Sequence, residues 1–292
     1  MKALDDLTAG LWTLKLSSPC SYSTDHLLRR MIRLQIDHLP QAMPLRWDNY
    51  EPLGNAFDPQ TFESLIPDQV HPGAVLWARN RQPKAEGIWM AGVAPNFPNP
   101  HAIPHHGSLT VSCVDFGLQE QTTQLMKYSA IALPCDIGTL EALSPSHSVY
   151  ARQSQSIAGR YGFNTHTLRH WLPDMLWGML FGPPYVRMFG LQKLLSAPAH
   201  TVVQLGPESV YMQLTEDLRD NELRFEHLQA KRMEVKIHLG LEHFWQADKA
   251  YDRMEHPENA GKVFKVPVFE LWPDPPMEVG QKLQTLFQKI RV

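Results

Sequence analysis

The sequence predicts an α+β protein: two packed α/β-sandwich lobes with mainly antiparallel sheets and helices on one face. Three observations carry this. Short runs such as Leu11–Leu16 and Leu109–Cys113 alternate apolar and polar residues, the period of a half-buried strand. Longer runs, Leu27–Ile36 and Gln119–Leu133, have helical spacing and are closed by Pro40 and Pro134. The order is strands, then helix, in both halves of the chain. That order suits helices packed on antiparallel sheet rather than a parallel sheet wound through crossovers.

Taken in order, Leu11-Trp-Thr-Leu-Lys-Leu16 is a strand, and Ser23-Thr-Asp25 supplies capping oxygens for a helix over Leu27, Leu28, Met31, Leu34 and Ile36. Pro44–Leu53 and Phe57-Asp-Pro59 read as a polar loop. Ala74–Ala78 and Ile88–Val93 form two strands joined across Arg79–Gly87. Pro95–Pro104 is a loop, Leu109–Cys113 a strand, and Gln119–Leu133 a helix. This first half is similar to a ferredoxin-like sandwich.

Ser144–Gly162 is polar and carries two glycines, so it divides the chain into lobe 1–143, connector 144–162 and lobe 163–292, with one continuous domain as the alternative. In the second half, the apolar run Arg169–Phe181 reads as a helix stopped by Gly182-Pro-Pro, followed by a short second helix and a Val202/Tyr211 hairpin. A long helix spans about Asp217 to Leu239, with Leu218, Phe225, Leu228, Val235 and Leu239 on one face and Arg232 snorkelling at its edge. Gly240 ends it. Phe264–Leu271 reads as a strand at an edge or a bulge, because Pro267 cannot donate to a ladder. Met277–Ile290 reads as a closing helix.

Composition narrows the function. With 27 basic and 30 acidic residues in 292, the net charge is −3. No Lys/Arg cluster marks a nucleic-acid surface. Nor does any 18-residue apolar run mark a membrane span. Two acids near the N-terminus replace the apolar stretch of an export signal, so the expected location is cytoplasmic. Cys20, Cys113 and Cys135 form no Cys-x-x-Cys pair, which argues against a disulfide scaffold or zinc ribbon. No metal or other cofactor is expected.

Chemistry has few footholds. There is no Gly-x-Ser-x-Gly elbow, no phosphate loop and no dinucleotide fingerprint. His238 and His243 lie five apart, which on a helix turns them about 140° from each other, and neither zinc-protease pattern fits. Cys113 reads as a small core residue; Cys135 reads as the more exposed thiol, with Asp136 disfavouring its thiolate. The one enzymatic alternative is a hydrolase or lyase built on His101, His105 and His106 with Asp48, Glu51 or Asp58, since histidine beside carboxylate suits acid–base work at neutral pH. A structural subunit is a third option, and would show an exposed apolar patch over 171–190.

Binding of a protein partner has more to draw on. Trp47, Asp48, Tyr50, Glu51, Phe57 and Asp58 combine aromatics with acids in one loop, either as an anchor patch with a charged rim or as a satellite core. Glu216, Asp217, Asp220 and Glu222 form the densest carboxylate run, which suits a helix start and can also meet a basic partner. The expected surface is one acidic face made of both segments.

Two stretches carry a family resemblance. One is Arg46-Trp-Asp-Asn-Tyr-Glu-Pro-Leu53 with Phe57-Asp-Pro59; the other comprises Leu180–Gly190, Leu194-Leu-Ser-Ala-Pro198 and Val210–Thr215. Their layout resembles the large immunity-protein families of polymorphic toxin and type VI secretion systems. That resemblance implies a cytoplasmic α+β protein that binds and silences one cognate toxin without catalysis of its own.

Overall fold

The computed structural model describes residues 10–22, 25–61, 73–92, 105–143, 168, 171–246 and 265–269. Ten strands among them form a single antiparallel sheet. In chain order the elements are β1 (Leu11–Ser18), α1 (Asp25–His38), β2 (Arg46–Asp48), β3 (Asn55–Ala56), β4 (Ala74–Arg79), β5 (Ala85–Met90), β6 (Gly107–Cys113), α2 (Gln119–Ala132) and β7 (Ile137–Leu143). Then follow β8 (Gly178–Phe181), α3 (Pro183–Phe189), α4 (Leu191–Leu195), β9 (Thr201–Gly206), β10 (Ser209–Gln213), α5 (Asp220–Leu223) and α6 (Phe225–Leu239). The sheet order is β3-β2-β4-β5-β6-β1-β7-β8-β10-β9. The expected connector 144–162 lies outside the described residues, and the strands on either side of it, β7 and β8, are hydrogen-bonded neighbours.

Period-two alternation assigns the two faces of the sheet. On one face Trp12, Leu14 and Leu16 of β1 stand beside Cys113, Val111 and Leu109 of β6 and Ala142, Leu140 and Gly138 of β7. All of these apolar side chains are buried, beneath α1 and α2. Trp89 of β5 shares this face and donates its indole N–H to the buried Gln35 of α1 at 2.8 Å. The opposite face at the centre is polar: Thr13 bonds Ser112 at 2.9 Å, and Glu141 lies across from Thr13. Over the C-terminal strands both faces are covered, the second by α3, α4 and α6, so β8 is buried at every residue.

Double coverage explains where the expected helix over the aromatic run gives way to a strand. Gly178-Met-Leu-Phe181 is apolar without alternation because both of its faces meet apolar layers. The 172–182 run is therefore core, not an exposed assembly patch. The loop expected over 44–59 contains β2 and β3, and Trp47 lies buried opposite Trp77 of β4. The long helix breaks at Arg224 into α5 and α6, and Gly240 ends α6 with φ +107°. Lys265–Phe269 belong to no strand, with the Lys265 amide donating to the Glu242 carbonyl at 3.0 Å, so the late strand is absent among the described residues; the closing helix expected over 277–290 and the 95–104 loop lie outside them. Among the described residues no helix is long and apolar enough to cross a membrane.

Arg232 does not snorkel. It is buried and donates Nη2–H to Glu141 Oε2 at 2.6 Å, and the same oxygen accepts from the Trp177 amide at 3.0 Å. The backbone ladder between β7 and β8 stops at Leu140 and Gly178, so the Glu141 side chain supplies the acceptor that Trp177 would otherwise lack. One turn further along α6, Lys236 pairs with Asp174 at 3.0 Å. Asn221 of α5 donates to the Ala142 carbonyl at 2.5 Å. The second helical layer is thus tied to β7 and the start of β8 by buried polar contacts.

Two outcomes follow from this packing. Glu141→Ala strands a buried guanidinium and should lower unfolding free energy by about 3–5 kcal/mol in urea denaturation. Glu141→Leu combined with Arg232→Met should recover more than half of that, whereas additive losses would show that the pair is not coupled. Gly87 of β5 leaves room for Trp77: an added Cβ would lie 2.3 Å from the indole and 2.2 Å from the Thr110 carbonyl oxygen. Gly87→Ala should therefore cost at least about 1–3 kcal/mol, while Gly206→Ala, with nothing within 4 Å, should leave the melting temperature nearly unchanged.

Candidate partner-binding surface

The structure does not bring His105 to its expected partner Asp48. His101 lies outside the described residues. His105 is 2% exposed, packs edge-on against Phe269 and faces Asp136 at 3.4 Å. Its expected partner Asp48 stands three strands away, along the register Asp48–Leu76–Ile88–Thr110. Three strand spacings are about 14 Å, beyond hydrogen-bond reach. Burial lowers the His105 pKa against the opposing pull of Asp136, keeping the imidazole neutral at pH 7. A cleft of about 300 Å³ reaches Cys135 and Asp136 between four prolines and the Arg187–Glu208 pair, but His105 does not line it. Cys135 is buried, contrary to the expected exposed thiol, and burial with Asp136 pushes its pKa up to about 12. Among the described residues no group of three or more His, Cys, Asp or Glu side chains could hold a metal ion.

The expected acidic face also divides. β2 and β10 stand seven positions apart in the sheet, about 34 Å at the usual spacing, so the 46–58 and 216–222 segments do not make one surface. Asp48 closes its own turn, accepting from the Asn49 and Gly54 amides and the Asn55 side chain at 2.8, 3.2 and 3.1 Å. Asp58 accepts from the Gln60 amide at 2.9 Å. Tyr50 and Glu51 remain exposed, but Trp47 belongs to the core.

The 216–222 run is balanced internally. Arg219 bonds the Asp217 carboxylate at 2.6 Å and holds it below the usual carboxylate range. Asp220, only 1% exposed, receives Arg224 through two bonds of 2.8 and 2.7 Å. Its role is to fix the α5–α6 junction. Within the run, Glu216 and Glu222 keep exposed carboxylates outside these two ion pairs.

What the sequence reading missed is the outer side of α6. At about 100° per residue, Arg232, Val235 and Leu239 fall within about 40° of Leu228, and all four are buried. Met233 and Ile237 fall about 140° and 180° from Leu228, and are 48% and 61% exposed. Ala230 lies on the same outward line and is exposed, and Leu241 and Leu223 add exposed apolar surface beyond the two ends of the helix. Apolar faces on both sides cancel the amphipathic contrast expected of a helix that faces only water. The signal in the sequence was the four-residue step from Met233 to Ile237 and on to Leu241.

On the flank of α6, Arg224, His227 and Lys231 form one wall of a cleft of about 210 Å³; Ala199, His200 and Leu214–Glu216 form the other. Arg224 and Lys231 there are already held by Asp220 and Glu234, and Glu216 opposes them.

Among solved structures the chain is similar to the Pseudomonas aeruginosa T6SS protein PA0821, with 12% identity over 91% of this chain and 88% of that chain and a TM-score of 0.44. No curated protein matches the sequence. The family model described as DUF6177, C-terminal domain, matches residues 13–236, from β1 through most of α6. The chain belongs to the DUF6177 C-terminal domain family.

Proposed function

We propose that this chain acts by stoichiometric binding of another protein, in the immunity-type role of neutralising a cognate toxin in the cytoplasm. The observation that supports it is the outward stripe of α6. Met233 and Ile237 are large, apolar and exposed on a helix whose opposite face is anchored by buried ion pairs. A rigid helix with apolar residues at i and i+4 is a standard element for docking into a partner's groove. Methionine adds a flexible, polarisable contact suited to binding surfaces. The immunity-type part of the reading rests on the resemblance carried by residues 46–59 and 180–215.

Glu216 and Glu222 serve as a charged rim that steers a basic partner, while Asp220 is excluded by burial. Trp47, Asp48 and Asp58 act within the fold, and Tyr50 and Glu51 are left as a separate exposed spot on the far side of the sheet.

The test is co-expression with the protein encoded by the adjacent reading frame, scored by growth. The native chain should restore growth, and Met233→Glu with Ile237→Glu should abolish rescue while the purified variant keeps its melting temperature. Glu216→Lys with Glu222→Lys should slow association roughly tenfold at low salt and much less at 0.5 M salt. Rescue by the α6 double variant at the native level would remove this assignment.

A further inference from the structure

The cleft of about 300 Å³ opens where the end of β1, the start of β7, the start of α3 and the β9–β10 turn meet. Pro19, Pro134, Pro183 and Pro184 give it stiff apolar walls. Of its charged lining, Arg187 and Glu208 are both exposed and hold each other at 3.2 Å. The charge left over is that of Asp136. Small-ligand sites have this composition, apolar walls with a few fixed polar groups, and begin at about this volume.

The sheet places Asp136 there. Its amide donates to the Ser17 carbonyl of β1 at 3.0 Å, and its own carbonyl accepts from the Gly182 amide, which follows β8, at 2.8 Å. The side chain is only 7% exposed, yet it lines the cleft. Among the described residues no lysine or arginine lies within ion-pair distance of it. The basic group that faces it is His105 at 3.4 Å, and burial keeps that imidazole neutral. Behind the cleft the Tyr185 hydroxyl is buried without a hydrogen-bond partner, close enough for Asp136 to oppose its ionisation. A buried carboxylate is costly unless a cation compensates it. This one has an opening through which a cation can arrive.

We propose that the cleft binds a primary ammonium on an apolar stem, with the ammonium at Asp136 and the stem along the proline rings. An ammonium offers three donors and no acceptor, which suits a site whose buried charge is a carboxylate. An alkyl stem covers apolar surface while its charged end reaches the polar group. The stem can belong to a free amine or to a lysine side chain. The inference goes beyond the partner-binding reading and does not depend on it, since no residue of α6 lines this cleft.

The test is amide NMR of the full chain titrated with hexylamine at constant pH and ionic strength. The Asp136 and Gly182 amides should shift and saturate, and hexanol should leave them in place. Asp136→Asn should weaken hexylamine about tenfold or more. A blocked glycine pentapeptide with one central lysine separates the two sources. Tighter binding than hexylamine assigns the site to a polypeptide side chain, and weaker binding assigns it to a free amine. Absence of a saturable shift with either amine, an equal response to hexanol, or undiminished binding by Asp136→Asn overturns the proposal. The hexanol comparison uses the native chain, so it decides the matter even where the variant fails to fold. Growth rescue does not enter this assay, so either result leaves the α6 assignment standing.

Discussion

The Glu141 carboxylate is the point on which the C-terminal half depends. It accepts from the Trp177 amide where the β7–β8 ladder runs out, and from the guanidinium of Arg232 inside the second helical layer. A buried carboxylate without such donors would be strongly disfavoured. Here three donors satisfy the carboxylate, while Nε and Nη1 of Arg232 are buried with no hydrogen-bond partner among the described residues, so the result is geometric more than energetic. Sheet, the start of β8 and α6 are held in one arrangement, with Lys236 and Asp174 repeating the device one turn away. Ion pairs of this kind contribute little net stability compared with apolar packing, but removing one member costs several kcal/mol. They therefore fix orientation.

Orientation matters because α6 has two apolar sides. Hydrophobicity alone would let either side turn inward, since Leu228, Val235 and Leu239 compete with Met233 and Ile237. Placing Arg232 and Lys236 on the same side as the first set, opposite buried carboxylates, settles which side faces the sheet. Met233 and Ile237 are then held outward on a rigid support, where ordering cost on binding is low. The same tether sets the flank of α6 beside His200 and Leu214, and so forms the cleft between them.

Much of the fold was legible in the sequence. β1, β4, β5, β6 and the β9–β10 hairpin follow alternation, and α1 and α2 follow helical spacing closed by proline. β7 was not legible, because Gly138 and Glu141 interrupt its apolar pattern, and each is explained only by a distant neighbour: Leu16 beside Gly138, Arg232 beside Glu141. β8 was read as helix because burial on both faces erases alternation. Pairing across long sequence separations also decided the site. Asp220 and Asp217 look like free acids in sequence, but two arginines neutralise them; His105 looked available, and burial closes it off. The outer stripe of α6 was present as the spacing of Met233 and Ile237, but only the buried side of the helix told which apolar residues were left outside.

The most direct measurement is methyl NMR of the chain labelled at the methyl carbons of its 12 methionines, titrated with the protein encoded by the adjacent reading frame. The account predicts that the Met233 methyl shifts and saturates at one equivalent, while Met179 and Met212, buried in the sheet, stay in place. Binding that leaves Met233 unmoved would contradict it.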